Sequence, residues 1–372
     1  MTTPDLVVLV PGFLGFSRTG GYYYFADRVS ACLRGGLESA LRRPVPVVPT
    51  CTLPMDHLVA RQQYLMHELR HIVARLGQVR RIHLVGHSAG GVDAQLVTCD
   101  RPLDAERWSA DDERVRDRIA SVVGIAAPHH GTCLADAKLA ALLFDPVRHV
   151  NVLPSLAQPL WNLGRLLARS GDAPAIGSYM LQSLPDSAQF LFELIAHRGL
   201  VHDLAPRSME AVRGSLQSSR PIPLRSFVTV VPEAAGADEF FRDVKRLTAD
   251  TSQSPATPRL LRAAAQLQSA ADQGRMLQSG GIVIKFDERS NDGVVNSIRQ
   301  LCNPDDPQEL CGIVVGDHAD VLGHYDRVDA LVSGRPLNQG LFHSGSRFGD
   351  DQFFELYRDV ARVLVQLIRS EE

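Results

Sequence analysis

The residues with the clearest chemical meaning are Val85-Gly86-His87-Ser88-Ala89-Gly90-Gly91. Two glycines flank a serine in a G-x-S-x-G pattern, which sets the serine on a sharp turn from a strand into a helix. Chain segments pass so close to such a turn that side chains beyond hydrogen clash, and the serine takes an uncomfortable backbone conformation. The turn lifts the hydroxyl above the strand ends, and the helix that follows points its N-terminus at any negative charge developing there. The pentapeptide alone arises by chance. Here a strand-like run (Ile82-His83-Leu84-Val85) precedes it and a helical run (Gly90 to Val97) follows it, the frame the motif requires. Ser88 is therefore a candidate nucleophile.

A serine hydroxyl is a poor nucleophile at neutral pH and needs a base. The chain order that accompanies a nucleophile elbow, serine then acid then histidine, narrows thirteen histidines to His318, His324 and His343. His318, in Val-Val-Gly-Asp-His-Ala-Asp-Val-Leu-Gly directly after a strand-like run, is favoured. The acid must lie before it on a loop. Asp292 fits, because Asn291-Asp292-Gly293 is a tight turn that presents a carboxylate, with Asp287 and Glu288 as rivals. Its role would be to hold the imidazole tautomer and stabilise the imidazolium. Two backbone donors are needed for a tetrahedral oxyanion. The amide of Ala89 is one, and the amide of Phe13, in the glycine-rich turn Pro11-Gly-Phe-Leu-Gly-Phe16, is the other, ahead of Leu14. His129 and His130, in Ala127-Pro-His-His-Gly-Thr132, sit at the expected rim of this site and are read as structural.

The elements that must carry these residues alternate short β-branched runs with longer amphipathic stretches, which indicates an α/β fold on a mostly parallel sheet. Strands are expected at 5–10, 45–52, 81–85, 119–127, 224–231, 282–286 and 311–315. Helices are expected at 22–41, 56–76 (ended by Gly77), 89–98 and 351–369, with a helical excursion at about 238–280. Residues 1–132 and 223–372 form the core in this reading, and 133–222 form an inserted helical lid or cap. Apolar ridges in that insert (Leu156, Leu160, Trp161, Leu163, Leu166 and Leu167; Phe190, Leu191, Leu194 and Ile195) suit packing, and a cap has one face for the sheet and another for the serine.

The 372 residues, 45% of them apolar, are enough for a large core. A formal net charge of −3 provides no strong field for nucleic acid. No uncharged apolar run reaches the roughly 18–20 residues that span a bilayer. The first residues lack a basic n-region and carry Asp5, so no signal peptide is expected and a cytoplasmic location follows as the expectation. The six cysteines match no zinc framework. Cys302 and Cys311 flank a turn-rich stretch, which leaves a local disulfide and two free thiols both open.

Taken in order, Pro11–Phe16, Gly86–Gly91, Ala127–Thr132, Ser290–Val295 and Asp317–Gly323 resemble the true lipases of bacteria, the triacylglycerol lipase family within the α/β-hydrolase superfamily. The resemblance runs from residue 5 to about 325 and does not clearly cover 133–222 or 238–280. It implies an α/β-hydrolase fold, Ser88, Asp292 and His318 as a catalytic triad, and Phe13 and Ala89 as oxyanion-hole donors. Two departures stand out. Pro11 occupies the position where the family often has a histidine, so the support of the oxyanion loop must differ. The family often holds a structural calcium near the histidine loop, and of its ligands only Asp320 has a convincing match. His57, His67 and His71 do not reproduce the zinc site of the related thermostable lipases.

The expected activity is hydrolysis of apolar acyl esters, a lipase or esterase reaction that requires no cofactor. An acyltransferase, thioesterase or phospholipase would use the same triad. A non-catalytic binding protein of the same fold has no need to keep every one of these residues.

Overall fold

A computed structural model describes residues 5–13, 15, 18–19, 22–104, 107–136, 199–216, 218–232, 237, 239–277, 283–325 and 344–371. Its framework is a sheet of seven parallel strands. In chain order the strands are β1 (Asp5–Val10), a small antiparallel pair β2 (Arg18–Thr19) and β3 (Tyr22–Tyr23), β4 (Val47–Pro49), β5 (Arg81–His87), β6 (Ile119–Ile125), β7 (Leu224–Val230), β8 (Met276–Leu277) and β9 (Leu310–Val315). The large sheet runs β4-β1-β5-β6-β7-β9-β8. Parallel strands need crossovers, and the helices that supply them cover both faces, which is why the strand sequences read as unbroken apolar runs.

The period-two alternation of β1 sorts the core into two layers. Val7 and Leu9 join Val85, Val123, Phe227 and Val314 beneath the helices Asp27–Leu41 and Asp350–Ser370. Leu6, Val8 and Val10 face the other way and pack with Leu84 and Val122 against Leu65, Leu69 and Ile72 of the helix Leu58–Leu76. A third apolar cluster joins β7 and β9 to the helix Pro258–Asp272.

Two expectations need correction. Residues 283–286 are not a strand. Ile284 and Phe286 are buried as anticipated, but the Phe286 amide donates to the Gln268 side chain, not to a neighbouring strand. The edge strand of this region is β8, paired with β9 at Met276↔Ile313 and Leu277↔Val314. The helix Ala110–Arg116 was not anticipated. At seven residues it is too short for a periodic signal, although its capping box is legible: Ser109 accepts from the Asp112 amide and Asp112 accepts from Ser109.

Most of the expected insert, 137–198, lies outside the described residues, as do all the residues of its two apolar ridges. Its C-terminal flank is described. The helices Gly199–Asp203 and Pro206–Ser215 pack through Leu200, Leu204 and Met209 onto Leu58, Ala89, Val92 and Leu96, against the helix that follows Ser88.

Candidate active site

The turn at Ser88 has the strain its glycines imply. Ser88 sits at φ 56°, ψ −135°, in the left-handed half of backbone space that side chains avoid, between β5 and the helix Ala89–Leu96. The glycines permit this by close approach. A Cβ on Gly86 would lie 2.4 Å from the Gly90 carbonyl oxygen, and one on Gly90 would lie 2.3 Å from that of Val10. The Ser88 amide donates to Ile125 O of β6 at 3.0 Å, which pins the turn to the neighbouring strand end.

Three side chains from distant parts of the chain meet there. Ser88 Oγ lies 2.8 Å from His318 Nε2, and His318 Nδ1 lies 2.8 Å from Asp292 Oδ2. All three are buried. Asp292 is held on every side. Its Oδ1 accepts from the amides of Val294 and Val295 at 2.9 and 2.7 Å. Its Oδ2 also accepts from Thr229 Oγ1 at 2.5 Å and Gln300 Nε2 at 3.3 Å. Such bonds fix the carboxylate's orientation and which oxygen faces the imidazole. Its carbonyl accepts the His318 amide at 3.1 Å, so the two loops are joined through backbone as well as side chain.

The rivals are placed elsewhere. Asp287 accepts from the amides of Arg289 and Ser290 in an exposed turn, and Glu288 accepts from the Ala256 amide. His324 is buried with its Nε2 3.0 Å from Tyr24 O, and His343 lies outside the described residues. His129 faces Gln95 Oε1 at 2.9 Å, and His130 faces Cys302 O at 3.2 Å. Burial pushes the two imidazoles down to about 3 and about 2, so both stay neutral.

The candidate oxyanion loop, which begins at Pro11, is held by residues that its own sequence does not single out. A Cβ on Gly12 would come within 2.6 Å of Ser88 Cβ, so the loop passes directly over the serine. Arg61, fully buried, donates from Nη2 to Gly12 O at 3.2 Å and to Thr52 Oγ1 at 3.1 Å, and Thr52 Oγ1 donates to Pro11 O at 3.2 Å. A trans peptide points its carbonyl and its following amide in opposite directions, so an anchor on Gly12 O aims the Phe13 N–H the other way. Arg61 is itself paired with Asp93, at 2.5 Å, on the helix that begins at Ala89. This pair supplies the loop support that Pro11 cannot.

A second chain of contacts ties the same loop to the histidine. Tyr24 Oη lies against Gly12, where an added Cβ would come within 2.7 Å of it, and donates to His87 Nδ1 at 2.8 Å, and His87 Nε2 donates to His318 O at 2.8 Å. Burial, reinforced by the neighbouring His318, holds His87 neutral, which this donor-and-acceptor arrangement requires.

Asp317 and Asp320 flank His318, and both are buried. Asp320 Oδ2 accepts from the Asp317 amide at 2.8 Å and from Ser346 Oγ at 2.7 Å, and Asp317 Oδ1 accepts from the Ala319 and Asp320 amides. Calcium takes six to eight oxygens. Among the described residues, Asp317 Oδ2 is buried without a hydrogen-bond partner, and no group of three or more His, Cys, Asp or Glu could hold a metal ion. All six cysteines are free, Cys302 and Cys311 included. No described helix is long and apolar enough to cross a membrane.

No protein-family model matches the chain. The triacylglycerol lipase of Pseudomonas fragi is 29% identical over 132 residues, 35% of this chain and 36% of that lipase. The matched stretch thus spans about a third of that relative's length. Among solved structures, Staphylococcus hyicus lipase superposes with a TM-score of 0.52 at 16% identity, covering 100% of this chain and 98% of its own. Lipase 1 from Pelosinus fermentans does so with a TM-score of 0.53 at 17% identity, covering 98% and 99%. Likeness at this identity is likeness of fold, and the fold is that of the α/β-hydrolases. In a third of its sequence and in its fold the chain is similar to bacterial lipases.

Proposed function

We propose that the protein is a serine hydrolase of carboxylic esters with apolar acyl groups, a lipase or carboxylesterase. The observation that carries this reading is the unbroken line Ser88 Oγ–His318 Nε2 and His318 Nδ1–Asp292 Oδ2, each step 2.8 Å, on a strained strand-to-helix turn. In the proposed reaction Ser88 Oγ attacks the ester carbonyl carbon while His318 Nε2 takes its proton. The amides of Ala89 and Phe13 hold the oxyanion, a contribution of about 100- to 1000-fold per donor. The alcohol leaves with the proton from His318, giving an acyl-enzyme. Water then attacks the acyl carbon, again giving its proton to His318, and the carboxylic acid departs as Ser88 regains its hydrogen. Asp292 holds the imidazole and stays ionised throughout. The described flank of the expected insert packs on the helix that begins at Ala89, beside the serine, where an acyl chain would lie.

A fluorophosphonate probe is expected to label the wild type and not Ser88→Ala. Nitrophenyl esters from C2 to C16 are expected to be turned over by the wild type, with Ser88→Ala at background. Turnover of C2 alone would remove the lipase reading and leave a short-chain esterase. Labelling that persists in Ser88→Ala would end the nucleophile assignment.

A further inference from the structure

A cavity of about 430 Å³ lies between the helix Pro206–Ser215, the start of the helix Pro258–Asp272 and the segment that carries Arg299. None of Ser88, Asp292 or His318 lines it. Four arginines do: Arg207, Arg213, Arg259 and Arg299, against a single acid, Glu210. Among the described residues only Arg259 of the four has an ion-pair partner, Asp305 at 3.7 Å, which it shares with Arg262. The other three spend their donors on neutral acceptors. Arg213 Nη2 reaches Cys302 O at 2.8 Å, Arg207 Nη2 reaches Gln253 O at 3.4 Å, and Arg299 reaches His130 O and Ser254 O at 3.1 and 2.6 Å. Arg299 is 4% exposed, and its Nε has no hydrogen-bond partner among the described residues.

A guanidinium cannot give up its proton, so a buried one without a carboxylate leaves an uncompensated charge. Asp136 lies close enough to Arg299 and Arg207 to feel them, and Asp250 lies close to Asp136; with Glu210 these are three acids against four arginines, and the one further acid, Asp305, is shared between Arg259 and Arg262. The helix Pro258–Asp272 starts at this wall, with Thr257 as its N-cap and Arg259 in its first turn, and so adds the positive end of a fifteen-residue dipole. Planar forks from several directions, a helix N-terminus and room for a small molecule match the shape and charge of a phosphoryl group.

We propose that this cavity is a second ligand site, separate from the serine, that binds a phosphate monoester dianion. Its floor adjoins the acid of the candidate triad, because Gln300, next to Arg299, donates to Asp292.

Calorimetric titration with inorganic phosphate at pH 8 and constant ionic strength, with the binding read as heat and not as ester turnover, tests this. The wild type is expected to bind one phosphate saturably, with a Kd in the millimolar range or below, about −4 kcal/mol or stronger. Arg207→Gln/Arg259→Gln and, separately, Arg213→Gln are expected to weaken binding at least tenfold with nitrophenyl acetate turnover unchanged. Arg358→Gln, on the exposed face of the closing helix, is expected to bind as the wild type does. Competition by soluble glycerol 3-phosphate would assign the site to a free ester, and competition by vesicles containing phosphatidic acid would assign it to a lipid headgroup. Absence of saturable heat, or a loss in Arg358→Gln equal to that in the cavity variants, would overturn the proposal. Because no arm but the control turnover reads hydrolysis, failure of the hydrolase reading leaves this test intact.

Discussion

The position between Gly86 and Ser88 is free in the elbow motif, yet His87 is buried and committed on both ring nitrogens. It joins Tyr24, which lies against Gly12 of the candidate oxyanion loop, to the backbone of His318. Two parts of the candidate machinery that must act on one carbonyl are therefore linked by a single relay. Removing the Tyr24 hydroxyl leaves His87 Nδ1 without a partner among the described residues, at a cost of about 1–3 kcal/mol. Tyr24→Phe is expected to lower kcat for a nitrophenyl ester about tenfold with KM nearly unchanged, since one factor of ten corresponds to about 1.4 kcal/mol. A Tyr24→Phe enzyme with the wild-type kcat and a lower Tm would reduce Tyr24 to a packing residue.

Arg61 and Asp93 couple two elements, the helix Leu58–Leu76 and the helix that starts at Ala89, and through Gly12 O they reach a loop that belongs to neither. Both side chains are fully buried. Breaking such a pair from one side strands the other charge, whereas replacing both with apolar groups is often neutral. Arg61→Met is therefore expected to destabilise by about 3–5 kcal/mol. Arg61→Met/Asp93→Leu is expected to recover most of that stability in urea unfolding, while activity stays down by about 10- to 100-fold because Gly12 O has lost its anchor. Recovery of activity along with stability would show that the pair serves packing alone.

Across the whole molecule, the end of the sheet opposite the serine carries another buried charge cluster. Asp5 Oδ1 takes Arg81 Nε at 2.7 Å, and Asp5 Oδ2 takes Arg43 Nη2 at 2.5 Å. Burial by itself would raise this carboxyl, but His83, 3.9 Å away, and the hydrogen bonds from Arg81 and Arg43 outweigh it and hold Asp5 well below the usual carboxylate range. A depressed carboxylate contributes stability above its unfolded value of about 3.9 and loses it as the pH falls toward the folded value. Asp5→Asn is expected to lower stability by about 3 kcal/mol at pH 7, and the gap to wild type is expected to shrink steadily between about pH 5 and pH 2. Urea midpoints measured across that range check this; a gap independent of pH would mean that the loss is one of shape and not of charge.

Much of this architecture was written in local patterns. The strand runs of β1, β5, β6, β7 and β9 and the helices at Leu58–Leu76 and Asp350–Ser370 follow from periodicity, because burial on one or both faces imposes its repeat on adjacent residues. The strain at Ser88 was legible because only glycines at 86 and 90 tolerate what the turn brings near them. What stayed hidden needs partners from far along the chain. Nothing near position 61 marks its arginine as the anchor of residue 12, and nothing near 229 or 300 marks Thr229 and Gln300 as clamps on Asp292. The exposed side of Val283 and the buried sides of Ile284 and Phe286 alternate as a strand does, yet a glutamine on a packed helix takes the backbone bond a strand would have taken. Local sequence sets which way a residue faces and how the backbone bends. Which donor meets which acceptor depends on how distant segments stack, and that is settled by the packing of the whole chain.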